Sequence, residues 1–187
     1  QELAQTLDTP DETIFECFSS AAFAEQAVGR SILGDEGNIL SFNQKKVKDF
    51  VSQHYIAPKI IISAGGNLDH QQLVDLVAEK FNPFPNQDLI ESEKATYTGG
   101  SKLELDAELS QLHLIIGYEG VTLDSKDYYT LEMLASILGG SISSRLFQEI
   151  REKRGLVYSI SSFCQYYLDA GVFGIYLSAE SKKQQEI

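Results

Sequence analysis

Arg151 and Tyr158 stand seven positions apart inside the stretch from Gly139 to Tyr158, GGSISSRLFQEIREKRGLVY. A guanidinium carries a rigid fork of N–H donors and a phenol a single O–H, so such a pair suits the holding of oxygen atoms. The surrounding residues predict how it is placed. Gly139 and Gly140 are expected to end a helix, because glycine reaches the left-handed backbone region without a Cβ clash. Ser143 or Ser144 offers an oxygen to the free amides of a new helix, and Leu146, Phe147 and Ile150 give that helix a buried face. Gly155 stops it, and the alternation from Val157 to Ser162 predicts a strand entered through Tyr158. Arg151 and Arg154 then lie near a helix C-terminus, where the helix dipole favours cations. A plain helix-end charge is therefore the alternative reading of both.

The other residues with chemical potential are sparse. The histidines are His54, His70 and His113, and no two are four apart. His54 and His70 fall in the last and first turns of expected helices and read as surface or capping groups; His113 sits in an alternating strand, where a hydrogen-bonded, half-buried histidine is the ordinary finding. Cys17 and Cys164 have no C-x-x-C spacing and give no disulfide framework, which favours a reducing compartment such as cytoplasm or mitochondrial matrix. Glu2 is, by itself, a solvated acid.

Taken together, the residues S-S-R-L-F-Q-E-I-R-E-K-R-G-L-V-Y, the later segment YLDAGVFG (Tyr167 to Gly174), the G-R-x-I-L-G stretch from Gly29 to Gly34 and the opening segment from Gln1 to Phe23 resemble the insulinase and pitrilysin family of zinc metallopeptidases, in its processing-peptidase branch. The resemblance implies that Arg151 and Tyr158 hold a substrate backbone carbonyl, and that Gly139 and Gly140 belong to a short version of a glycine-rich substrate-binding loop. It also implies that Glu2 is the third zinc ligand, lying well downstream of an inverted zincin motif H-x-x-E-H whose two histidines hold the metal and whose glutamate takes a proton from metal-bound water. That motif is absent from this sequence, so zinc cannot be held by this chain alone. The implied reading is an internal fragment of a longer zinc metalloendopeptidase that encloses peptides in a chamber, working as a homodimer or paired subunit. The alternative is a non-catalytic partner or scaffold subunit of the same family; outside it stands a plain α/β binding domain.

Composition fits these readings. The 187 residues are 43% apolar, enough for a buried core, and the longest apolar runs are too short to span a bilayer. A formal charge of −12 opposes nucleic-acid binding and is compatible with drawing in basic peptides, while diffuse surface acidity for solubility is the simpler and preferred explanation.

The expected fold class is α+β, an antiparallel sheet packed against helices in two homologous half-domains. Residues 1–92 resemble the second part of the first, zinc-bearing domain and residues 93–187 the first part of the second, with the proline-flanked Asn82–Gln87 as linker. Along the chain the expected elements are a helix begun by Asp8 or Thr9 and Pro10, a loop from Val28 to Asn38, and a helix capped by Ser41. A short strand from Lys59 to Ala64, a helix within Asn67–Phe81, a strand within Leu103–Glu119, a helix from Lys126 to Leu138 and a closing hairpin turned at Leu168–Gly171 follow.

Overall fold

A computed structural model of the chain describes residues 1–81, 93–104, 109–183 and 186. The expected linker Asn82–Gln87 lies outside the described residues. The chain divides into two compact units, one of Gln1–Asp35 with Glu93–Ile187 and one of Glu36–Ser92.

The first unit is built on a three-stranded antiparallel sheet in the order β1-β3-β2, with β1 Gln111–Glu119, β2 Ser159–Tyr166 and β3 Gly171–Glu180. Its central strand is the most buried, with Val172 and Ala179 fully enclosed. Side chains alternate between the faces of a strand, and each face here has its own cover. Phe15 and Phe18 of α2 (Pro10–Ala22) meet Phe163 with ring centroids 5.1 and 5.8 Å apart. On the opposite face Ser162 donates to the Ala135 carbonyl at 2.6 Å, joining β2 to α6 (Tyr128–Gly139). Leu146, Phe147 and Ile150 pack there on buried Val157, Ile160, Leu177 and Ala179.

Two glycines make the first of these faces possible. Gly117 and Gly174 are cross-strand partners, and a Cβ on them would lie 2.2 Å from the Phe18 ring and 2.3 Å from the Phe163 ring. The bare pair opens a dent in the sheet that the aromatic rings fill. Straps then fix the flanking chain: Gln26 exchanges two hydrogen bonds with the Thr96 backbone at 2.8 and 2.7 Å, and the Ala95 amide donates to Asp169 at 2.7 Å.

α2 begins after Thr9 with Pro10 in its first turn, as expected, and a short α1 (Glu2–Leu7) precedes it. Gly140 departs from expectation. It closes α6 in the right-handed region at φ −80°, and the left-handed residue is Gly155, at φ +61°. The reason is that α6 needs no reversal at Gly139, which is buried against β2, whereas the chain must reverse at Gly155 to enter β2. β3 runs on to Glu180.

The second unit contains α3 (Glu36–Leu40), α4 (Gln44–His54) and α5 (His70–Phe81). The expected loop to Asn38 is thus partly helical. Asn43 rather than Ser41 caps α4, its side chain accepting from the Lys46 amide at 3.0 Å; the Ser41 hydroxyl donates to the Asn38 carbonyl at 2.6 Å and accepts from Lys46 Nζ at 2.8 Å. No strand forms at Lys59–Ala64 among the described residues; Ile61 is 94% exposed. A strand exists only against a partner ladder, and the described residues provide none there. His70 opens α5 and His54 ends α4, its ring 4.4 Å from that of Phe50.

Candidate substrate-contact site

Arg151 stands on a π-helix, Phe147–Lys153, whose wide turns accept i→i+5 hydrogen bonds. The sequence predicted a helix here but carried no sign of its wider winding. Neither expected serine caps it: Ser143 Oγ lies 3.0 Å from Ser141 Oγ, and Ser144 Oγ is buried with no partner among the described residues. The Gln148 amide donates instead to the Ser144 carbonyl at 3.0 Å, and its side chain to the Ile142 carbonyl at 2.8 Å. At the far end the Gly155 amide donates to the Arg151 carbonyl at 3.1 Å, closing the last turn with a left-handed residue.

Tyr158 follows, fixed through its amide, which donates to the Ser178 carbonyl at 2.7 Å. It stands one residue before β2, at the end of the turn that leads from the π-helix into the strand. Tyr158 is 54% exposed, and Arg151 is exposed too. Among the described residues neither side chain makes a hydrogen bond or ion pair, while the neighbouring Lys153 is taken by Glu149. The guanidinium carbon of Arg151 sits 4.6 Å above the centre of the Phe147 ring. Phe147 is the participant that sequence reading missed; its signal was an aromatic four residues before a cation, a spacing that places both on one helix face.

Gly139 is buried at the seam between α6 and β2, where a Cβ would stand 2.3 Å from the Ser162 nitrogen. Gly140 is exposed. Glu2 is an exposed residue in the first turn of α1, which packs on α2 and so lies on the face of the sheet opposite Arg151. The structure places Arg151 on the π-helix and Tyr158 at the entry to β2, both exposed, with Glu2 apart on α1. Among the described residues no group of three or more His, Cys, Asp or Glu side chains could hold a metal ion. Glu2 supplies one carboxylate donor, and the described residues do not complete a zinc site around it.

His113 Nδ1 is 3.0 Å from the Tyr176 hydroxyl, a structural cross-strand bond. Cys17 and Cys164 are both free. Burial pushes the Cys17 thiol above its ordinary 9.0, with Glu104 adding and Lys102 opposing. Burial likewise raises Cys164, and burial beside Cys164 and Glu132 pushes the Tyr166 phenol far up. The folded protein holds these protons more tightly than the unfolded chain. Their contribution to stability is therefore complete below the ordinary thiol value and is lost as pH rises through the folded values. Iodoacetamide should modify both thiols on the order of tenfold more slowly in the native protein than in urea, a ratio measurable by mass spectrometry, and the unfolding midpoint should fall as pH is raised past 9.0.

The peptidase M16 inactive domain matches residues 41–187 of this chain, well over half its length. The chain belongs to the peptidase M16 family. It is 37% identical over 184 residues to an uncharacterized zinc protease of Rickettsia bellii, covering 98% of this chain and 44% of that protein. It is 32% identical over 186 residues to the mitochondrial-processing peptidase subunit beta of Lentinula edodes, covering 91% of this chain and 40% of the relative. A crystal structure of a peptidase M16 inactive domain from Pseudomonas fluorescens superposes with a TM-score of 0.80 at 23% identity, over 95% of this chain and 44% of that one, a likeness of fold. The M16 chain thus spans less than half the length of these relatives. The family expected from the Gly139–Tyr158 and Gln1–Phe23 segments is borne out, as is the α+β class. Among the described residues no helix is long and apolar enough to cross a membrane.

Proposed function

We propose that this M16 chain supplies the peptide-holding wall of a zinc metalloendopeptidase of the processing type, the metal site being completed by residues outside it. The observation that carries this reading is the pair Arg151 and Tyr158: both exposed, at the two ends of the turn from the π-helix into β2, anchored by backbone bonds, with side-chain donors unspent among the described residues. A guanidinium and a phenol so held can donate to the carbonyl oxygens of an extended peptide and orient the bond to be cut. Gly139 and Gly140 act through the shape of the loop they begin, since Gly139 itself is buried against β2.

Residues 1–92 are proposed to descend from the zinc-bearing domain and 93–187 from its homologue. Glu2 is proposed as the third metal ligand of a different reaction chamber, in line with its position on the face away from Arg151. Such an arrangement calls for a homodimer or paired subunit, and the net charge of −12 suits a basic peptide.

The test is peptide turnover by the longer protein. Arg151→Ala and Tyr158→Phe should each lower kcat/KM about tenfold, the usual loss for removing a hydrogen bond to a charged or polarised group, with zinc content unchanged. Wild-type turnover in both variants would end the assignment. A second reading, a non-catalytic partner subunit, is favoured by the description of the matching domain as inactive; there the same substitutions would weaken peptide binding while the protein cleaves nothing.

A further inference from the structure

Arg151 has no carboxylate within ion-pairing distance among the described residues, and long exposed arginines ordinarily sample many rotamers. Here the guanidinium lies 4.6 Å from the centroid of the Phe147 ring, within the range at which a cation is drawn to an aromatic face. The ring is itself immobilised. Phe147 is half-buried and packs on the cluster of Val157, Ile160, Leu177 and Ala179, whose members lie in β2, β3 and the turn between π-helix and strand. The other cation of this turn, Lys153, is held by Glu149, so it does not compete for the ring.

We infer that Phe147 is a positioning residue for peptide binding: its ring face holds the Arg151 guanidinium in the orientation that meets a peptide carbonyl. This rests on the reading of Arg151 given under Proposed function. The core fixes the ring, the ring fixes the cation, and the cation meets the peptide. Cation–π attraction is favoured over an acidic partner in this role because it leaves every N–H of the fork free to donate. A carboxylate in the same place would occupy two of them.

The experiment replaces Phe147 in the longer protein with singly, doubly and triply fluorinated phenylalanine, which keeps the shape of the ring and drains the negative charge from its face. Affinity for a fluorescent basic peptide is read by anisotropy, and kcat/KM wherever turnover is seen. Each quantity should fall in step with fluorination, by roughly two- to fivefold in total, the range for an exposed cation–π contact, while the melting temperature stays constant. Phe147→Leu should weaken binding in the wild-type background and change nothing further in Arg151→Ala. A flat response to fluorination, with Arg151→Ala still harmful, overturns the positioning role and leaves the reading of Arg151 standing. An equal loss from Phe147→Leu with and without Arg151 overturns it as well, because the ring then acts on its own account. If Arg151→Ala changes neither binding nor turnover, or the wild-type protein neither binds nor cleaves the peptide, the reading of Arg151 fails and the inference falls with it.

Discussion

Phe23→Ala is expected to destabilise the first unit by about 3–5 kcal/mol, the usual cost of truncating a buried phenylalanine and leaving a cavity. Phe23 is 1% exposed. Its ring meets Tyr97 and Tyr167 edge-on at centroid distances of 6.2 and 5.6 Å, and its cluster includes Ala22, Ala170 and Val172. Those neighbours come from α2, from the segment just after residue 93 and from the β2–β3 hairpin, so a single side chain closes the joint between distant parts of the sequence. The neighbours cannot collapse into the space, because Thr98 and Gln26 bind the surrounding backbone: the Thr98 amide reaches the Ala22 carbonyl at 2.9 Å, and Gln26 pairs with Thr96. Urea unfolding of the variant should show the loss directly, and thermal unfolding a fall of about 10 °C, given roughly 2–4 °C per kcal/mol for a protein of this size. Leu168→Ala, at a site 80% exposed, should change stability by less than about 0.5 kcal/mol. A loss below about 1 kcal/mol for Phe23→Ala would mean that this joint does not hold the unit together.

What the sequence made legible were the elements whose reasons are local. Pro10 after Thr9 starts α2, Asp69 accepts from the Gln72 amide at 2.9 Å beside the first turn of α5, and the Leu168–Gly171 turn joins β2 to β3, each from short-range chemistry. The hairpin and α6 were bounded to within a few residues. Misreadings arose where the deciding partner is distant in sequence. Lys59–Ala64 has the β-branched character of a strand, but strand formation is a property of a pair, and no ladder partner stands there among the described residues. Gly139 and Gly140 look like a helix stop; only the proximity of Ser161 and Ser162, more than twenty positions on, shows that Gly139 is small because another backbone comes close.

The candidate site divides in the same way. Arg151 and Tyr158 were visible as types and spacing, and the family resemblance gave them a role to test. The wide turns of the π-helix and the Phe147–Arg151 contact were not visible, since the three- and four-residue spacing of Leu146, Phe147 and Ile150 reads as an ordinary α-helix. Glu2 shows the converse. Its assignment came wholly from resemblance, and no feature of α1, with its exposed acid in a first turn, distinguishes a ligand from a helix-start carboxylate.

Gly139→Ala should be nearly as damaging as the loss of Phe23, by the opposite mechanism. The added methyl would stand 2.3 Å from the Ser162 nitrogen, 2.8 Å from the Ser161 carbonyl carbon and 2.8 Å from Ser162 Oγ. Two of these atoms are backbone in the outer strand of the sheet, so no side chain can swing aside; α6 must lift off β2. Lifting it strains or breaks the Ser162 hydroxyl bond to the Ala135 carbonyl at 2.6 Å, and the expected total is about 3 kcal/mol from overpacking together with the weakened hydrogen bond. Gly65→Ala, where nothing lies within 4 Å of the new methyl, should cost less than about 0.5 kcal/mol and serves as the control. Stability and peptide affinity measured on Gly139→Ala also separate two jobs for Gly139. If it matters only through the seam, Gly139→Ala lowers the unfolding free energy, and the surviving folded protein binds peptide in proportion to its folded fraction. If the loop beginning at Gly139 also shapes the place where Arg151 and Tyr158 meet a peptide, affinity per folded molecule falls as well, because a displaced α6 shifts the 140–144 turn and with it the start of the π-helix. A variant as stable as wild type would mean that helix and strand do not approach as closely as this seam requires.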